Sequence, residues 1–296
     1  MRSSFDVVIV GGGIVGAATA ASCAQAGMRV ALVERDVIGG GATAAGMGHI
    51  VVMDDSEAQF ALTRYSRLLW SEIGPSLPAS TEYETPGTLW LAADDEEMAE
   101  AERKLKYYRE RDVSVQLLSE RELAELEPNI RRGLAGALLV PEDAVIYPPT
   151  AALHLVHLAQ GLGVNLLRGR NAVEMGGGRV LLDDGQELAA PCAINATGAW
   201  APDLDGEIPV KKRKGHLVIA DRYPGYVRHQ LVELGYLKSA HSVASNSVAF
   251  NIQPRKTGQI LIGSSRQYGD ETSSVDQAIL TAMLQQLKFL YWNHYL

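Results

Sequence analysis

Two kinds of apolar pattern alternate along this chain. Short unbroken aliphatic runs, "DVVIVG" from Asp6 and "MRVALVE" from Met28, predict strands buried on both faces, as in a parallel sheet. Between them the small-residue stretch Ala17 to Ala26 predicts a helix that stops at Gly27. The whole unit takes about 30 residues, the length of a βαβ crossover. Further on, "SEAQFALTRYSRLLWSEI" predicts a helix with Phe60, Leu62, Tyr65, Leu68 and Leu69 on one apolar face. "GTLWLAA" predicts a strand. A charged helix follows, with Met98, Ala101, Leu105 and Tyr108 at core spacing and its charges on a solvated face.

Ser119 and Glu122 carry the capping-box signature ahead of "RELAELEP". The segment from Ala137 to Gly169 reads strand, helix, strand, with prolines where the helix begins. Asp184-Gly185 marks a hairpin, and "CAINATGAW" is a strand entering a helix through a small-residue turn. Lys211 to Lys214 read as the exposed start of another strand. Two strands flank the turn Lys256-Thr257-Gly258, where Arg255 and Lys256 read as surface charges, and an amphipathic helix runs from Val275. Alternation of these blocks predicts a chain that crosses more than once between two interleaved domains.

Composition narrows the class. The 296 residues are 47% hydrophobic and 21% charged, as in soluble globular proteins, and the formal net charge of −8 argues against non-specific nucleic-acid binding. Residues 7 to 33 approach the length of a membrane span, but Gln25 and Arg29 interrupt them, so no transmembrane segment is expected and the N-terminus is read as retained. Only Cys23 and Cys192 occur, which fits a reducing, cytoplasmic compartment. His154 and His157 lie three apart on one helix with no further ligands converging, so no metal site is expected.

Gly11-x-Gly13-x-x-Gly16 follows the first strand and opens the first helix. In such a motif the first glycine allows a tight turn, the second lets backbone approach a pyrophosphate, and the third lets helix and strand pack closely. The helix N-terminus then offers N–H groups and a positive dipole end to phosphates. Glu34, 18 residues past Gly16, stands where a carboxylate accepts ribose hydroxyls, and an acid there disfavours a 2′-phosphate. The motif alone does not separate NAD from FAD.

The ordered set Gly11-x-Gly13-x-x-Gly16…Glu34, "ATAAGMG", "NATGAW", "RKGHL" and "PRKTGQILIGSS" resembles the D-amino-acid oxidase family of FAD-dependent oxidoreductases. That group includes glycine oxidases, sarcosine oxidase β-type subunits and D-hydroxyproline dehydrogenases. The resemblance implies an α/β fold in which a Rossmann-like FAD-binding domain (1–82 and 141–208) is interleaved with a smaller, mixed-sheet α+β substrate domain (83–140 and 209–296). It implies FAD as the cofactor, with Gly11, Gly12, Gly13, Ile14, Val15 and Gly16 around the pyrophosphate, Glu34 on the ribose and Arg35 flanking the adenine. Thr43, Ala44, Ala45, Gly46 and Met47 match the segment that runs along the flavin. Val173 falls near the adenine, and Ala196, Thr197, Gly198 and Trp200 match a second FAD-contacting turn. His49 is the nearest candidate for a catalytic group, and Asn251 stands where relatives place a substrate-facing tyrosine.

The reaction implied is oxidation of a small amino acid or secondary amine by hydride transfer to the flavin. A hydroxy-acid dehydrogenase on the same fold is the alternative, and a nucleotide-binding remnant within a larger complex is the non-enzyme one. Relatives continue past the last amphipathic helix with a strand, an arginine-bearing segment and a glycine-rich return. This chain ends at "LKFLYWNHYL", so that segment is expected to be missing. A truncated, weakly active or inactive chain is what that would leave, and a homo-oligomer or one member of a hetero-oligomeric dehydrogenase is the assembly expected.

Overall fold

The computed structural model describes residues 3–207, 209–234, 246–270 and 272–291; the tail from Trp292 on lies outside the described residues. Elements are numbered along the chain. The chain divides into two compact units and passes from one to the other five times, as the alternating blocks predict.

The first unit comprises Met1–Gly48, Ser76–Thr81 and Tyr147–Lys212. Strands β2 (Val7–Val10) and β3 (Val30–Glu34) have almost no exposed side chains, which is why neither shows polar alternation. With β9 (Asn165–Arg168) and β13 (Cys192–Asn195) they form a wholly parallel sheet in the order β13-β2-β3-β9, Ile9 pairing with both Ile194 and Leu32. Helix α1 (Ile14–Gln25) buries Ala17, Ala20, Ala21 and Ala24 and packs on α6 (Pro148–Gly161), which buries Ala151, Ala152 and Ala159. Small residues on both sides let the two backbones come close. Pro148 opens α6, where a missing N–H costs nothing. A second sheet joins β1 (Ser3–Ser4), β12 (Glu187–Ala189), β11 (Arg179–Leu182) and β10 (Ala172–Gly176) in that order, with Gly185 at φ +83° in the expected hairpin turn. The short helices α2 (Gly41–Ala45) and α7 (Ala201–Leu204) complete the unit.

The second unit comprises His49–Pro75, Glu82–Ile146 and Arg213–Leu296. Its seven-stranded sheet runs β14 (Val218–Arg222), β17 (Gln259–Gln267), β16 (Asn246–Pro254), β15 (Gln230–Glu233), β5 (Thr88–Ala92), β7 (Gly136–Val140), β6 (Gln116–Ser119), antiparallel except where β15 meets β5. A two-stranded ribbon pairs β4 (His49–Ile50) with β8 (Ala144–Val145). One sheet face packs Leu89, Leu91, Leu118, Leu231, Ile252 and Ile262; the other packs Trp90, Leu138 and Val140 with Phe60 and Tyr108. Phe60 comes from α3 (Glu57–Ile73) and Tyr108 from α4 (Asp95–Arg109), while α5 (Glu120–Leu126) and α8 (Gln277–Tyr291) flank the sheet strands. Ser119 and Glu122 form the capping box in full.

Four expectations are corrected here. The stripe Leu62, Tyr65, Leu68 and Leu69 of α3 is exposed; the helix buries Phe60 and Arg67 instead, because Thr63 accepts the Met53 N–H and Arg67 reaches Asp143 from that side. The charges of α4 are not all solvated. Lys104 is fully buried, paired with Asp54, its ammonium 4.4 Å from the Trp90 ring centroid. Lys211 to Arg213 are exposed as expected, but Lys214 is half-buried and its ammonium is paired with Asp270 at 2.7 Å. Arg255 is no free surface charge, since Glu82 holds it at a side-chain exposure of 13%.

Candidate functional site

In the first unit a cleft of about 520 Å³ opens where β2, β3, β9 and β13 end. Ligands of parallel α/β sheets bind outside the carboxyl ends of the strands, and each of these four strands delivers lining residues there. Strand β2 runs into Gly11, whose φ of +107° and contact with the Ala196 carbonyl leave no room for a side chain; an added Cβ would lie 2.5 Å from that oxygen. At Gly16 an added Cβ would lie 1.8 Å from the Gly11 carbonyl, so α1 can begin this close to the turn only with glycine. Gly13 is the N-cap of α1 and has no side-chain cap, and the first turn carries no acid. The positive end of the helix dipole thus meets no acid of its own and is left to an anion, although the Ile14 N–H is already taken by a side chain.

Glu34 ends β3 with both oxygens engaged, Oε2 accepting the Gly12 N–H at 2.6 Å and Oε1 the Asp36 N–H at 2.8 Å. Each carboxylate oxygen keeps a lone pair for a further donor. Thr43 Oγ1 accepts the Ile14 N–H at 3.0 Å and so ties α2 to the start of α1. Across the cleft the Arg35 guanidinium lies 4.6 Å from the Trp200 ring centroid, and the indole packs against Gly41.

The residues read from the sequence sort into three groups. Gly11, Gly13, Ile14, Val15, Glu34, Arg35, Thr43, Val173, Ala196, Thr197, Gly198 and Trp200 all line this one cleft. Gly12 and Gly16 lie just behind it as its framework. Ala44, Ala45, Gly46 and Met47 lie outside the cleft lining, the first three exposed. Asp36 and Val37, at the start of the glycine-rich segment 36–49 that the sequence places beneath the cofactor, also line the cleft, whereas Arg170, Asn171 and Asp203 were missed. The position of Arg170 and Asn171 just after β9, beside the end of β3, was the available signal.

His49 and Asn251 belong to the second unit. His49 sits in β4, half-buried as a residue, with its Nε2 shut from solvent and without a partner; burial lowers its pKa to about 4. Asn251, in β16 opposite Val232, is 8% exposed and its Oδ1 is also buried and unpartnered. Nearby interior groups are polar too. Asp143 is fully buried, accepts the Val52 N–H at 3.3 Å and the Arg67 guanidinium at 3.0 Å, and burial raises its pKa to about 6. Gln230 donates from Nε2 to Thr88 Oγ1 at 3.3 Å and to the Ala144 carbonyl at 3.2 Å. Among the described residues no His, Cys, Asp and Glu cluster fits a metal, and no helix is long and apolar enough to cross a membrane.

Known proteins are similar to this chain in sequence and in fold. Glycine oxidase of Geobacillus kaustophilus is 30% identical over 219 residues, covering 70% of this chain and 58% of its own length. One of the subunits of the anaerobic glycerol-3-phosphate dehydrogenase of Escherichia coli is 30% identical over 235 residues, covering 74% of this chain and 42% of its own. The chain therefore spans about half the length of these two relatives. The crystal structure of L-proline dehydrogenase from P. horikoshii superposes with a TM-score of 0.86 at 20% identity, over 98% of this chain and 78% of that one, and so shares the fold. The family model described as FAD dependent oxidoreductase (DAO) matches residues 6–292. That match takes in nearly the whole chain, and the chain belongs to the DAO family of FAD-dependent oxidoreductases.

Proposed function

We propose that this chain holds FAD in the cleft of its first unit and oxidises a small amine or amino acid at its C–N bond. The observation that carries the reading is the Gly11–Gly16 cradle, where two added Cβ atoms would strike backbone and the N-terminal end of α1, with no acid in its first turn, faces the cleft. The residues present fit the cofactor. The amides at the start of α1 would bind the pyrophosphate, Glu34 the adenosine ribose, and Arg35 with Trp200 the adenine side of the cleft. Ala196 to Gly198 would support the dinucleotide from the β13 side, and Thr43 to Met47 would lead toward the flavin. Bound FAD would supply the two-electron acceptor, taking a hydride from the substrate carbon and leaving an imine that water hydrolyses.

Asn251, with its buried unpartnered oxygen, would be a substrate contact. His49, kept neutral by burial, is a weak base; it fits a hydrogen-bonding part at Nε2 better than proton abstraction. A hydroxy compound is the second reading, favoured by the likeness to the glycerol-3-phosphate dehydrogenase chain. That relative is by name one part of an assembly, which supports a partner chain for this one as well. Two free cysteines agree with a cytoplasmic site of action.

The test is the visible spectrum of the purified chain, followed anaerobically with D-proline, glycine and sarcosine and then with glycolate and glycerol 3-phosphate. Flavin bands that bleach with an amine support the first reading. Bleaching by hydroxy compounds alone supports the second, and a chain that takes up no FAD defeats both.

A further inference from the structure

The sheet of the second unit has one partly polar face that its apolar core does not explain. Leu231 of β15 and Ile252 of β16 face each other in the core cluster, so strand alternation turns Gln230 and Asn251 to the opposite face. Both are almost fully buried, at 1% and 8% exposure. Both carry an unpartnered carbonyl oxygen, Gln230 Oε1 and Asn251 Oδ1.

The orientation of Gln230 is fixed by its partners. Its Nε2 donates to the Ala144 carbonyl, which has no hydrogen to give in return, so the free atom is the acceptor oxygen Oε1. Asn251 stands opposite Val232, two residues along β15 from Gln230. Such diagonal neighbours lie about 7 Å apart, within reach of one small molecule held between long side chains. The strand residues around them on this face, Thr88, Trp90, Val232, Gln253 and Ser265, carry no charge.

Buried acceptors without donors are costly, and native proteins keep few of them. The Trp90 N–H on this face is also buried without an acceptor. A molecule seated here would have to bring donor hydrogens to the Gln230 and Asn251 oxygens and an acceptor to the indole, as an amino acid's ammonium and carboxylate can. A primary or secondary ammonium has two or more N–H groups; a hydroxyl has one O–H. An anion such as a phosphate has none to offer and would meet the negative ends of the two amide dipoles.

We infer that Gln230 and Asn251 form an acceptor pair that selects an amine substrate over its hydroxy counterpart. Gln230 is then a specificity-determining residue beside Asn251, held in place by Thr88 and Ala144. The inference rests on the oxidoreductase reading above and names the substrate class for it.

The test is calorimetric binding to the full chain, with and without added FAD, of two matched ligand pairs: glycine against glycolate, and proline against tetrahydrofuran-2-carboxylate. The unmodified chain should prefer the amine of each pair by at least about tenfold, the value of one well-made hydrogen bond to a charged donor. Asn251→Leu and Gln230→Met should each erase most of that preference, weakening the amine of each pair clearly more than its counterpart. Asn251→Asp, which keeps the acceptor and adds charge, should retain or raise it and guards against a Gln230 variant that fails to fold. Equal binding within each pair, equal loss for both members, or no binding at all would overturn the inference, water then being what satisfies the two oxygens. Flavin uptake is read separately from the absorbance of the same samples, so a failure to hold FAD counts against the proposed function while the acceptor pair is judged on the calorimetry.

Discussion

The cleft of the first unit and the interior of the second solve the problem of buried polarity in opposite ways. The cleft is made largely of main chain: Gly11, Gly13, Gly16 and the turn after β13 expose amides and carbonyls, to which Glu34, Thr43 and Asn195 add side-chain bonds. The second unit brings charged and amide side chains inside, with Lys104 on Asp54, Asp143 on Arg67, and Glu127 accepting the Arg228 and His229 N–H groups. Backbone polarity costs nothing extra to order once the strands are in place. Side-chain polarity must be matched partner by partner, and removing one partner strands the other.

The largest effect should come from breaking a buried pair. Lys104→Met leaves Asp54 inside without its cation and should cost about 3–5 kcal/mol in urea unfolding, whereas Lys104→Met with Asp54→Leu should recover most of it. Failure of the double variant to recover would mean that the pair also places the 49–54 segment. On the other side of the comparison, Gly16→Ala drives a Cβ into the Gly11 carbonyl. A loss of about 3 kcal/mol and of bound flavin is expected, by thermal unfolding and absorbance.

A third prediction concerns pH. His49 has a folded pKa of about 4 against an ordinary 6.5, so the unfolded chain takes the proton first. Its contribution is complete above pH 6.5 and is lost as pH falls through about 4. Asp143 runs the other way: raised from 3.8 to about 6, it favours the folded state at low pH and loses that contribution as pH rises through about 6. His49→Gln should therefore flatten the acid limb of the stability profile by roughly 2 kcal/mol between pH 6.5 and 4. An unchanged limb would place the titration elsewhere. The smallest effect is expected for Glu34→Gln, which keeps one acceptor for the Gly12 N–H: about 1 kcal/mol of stability, with a weaker hold on FAD measured by flavin release.

The same contrast explains what could be read from the sequence. The glycine spacing was legible because the geometry at Gly11 and Gly16 admits one residue type, so the constraint is written in the letters themselves. Leucines and tyrosines at helical spacing carry no such constraint, and on α3 they mark the exposed side while Arg67 goes inward. Lys104 looked like any other charge on an amphipathic helix, since its partner Asp54 lies 50 residues away. Gln230 was silent for a stronger reason. Its strand is four residues long and pairs in parallel with β5 across 142 positions, and no local pattern announces either fact.

The β2–β13 pairing carries a last consequence, for synthesis on the ribosome. Val7 finds its neighbour at Cys192, so the central strand of the first unit, apolar on both sides, emerges long before its sheet can close. Until then it has β3 on one edge and nothing permanent on the other, a state in which exposed strand edges invite aggregation. Production of this protein should accordingly depend on chaperone supply and translation speed more than its folded stability would indicate.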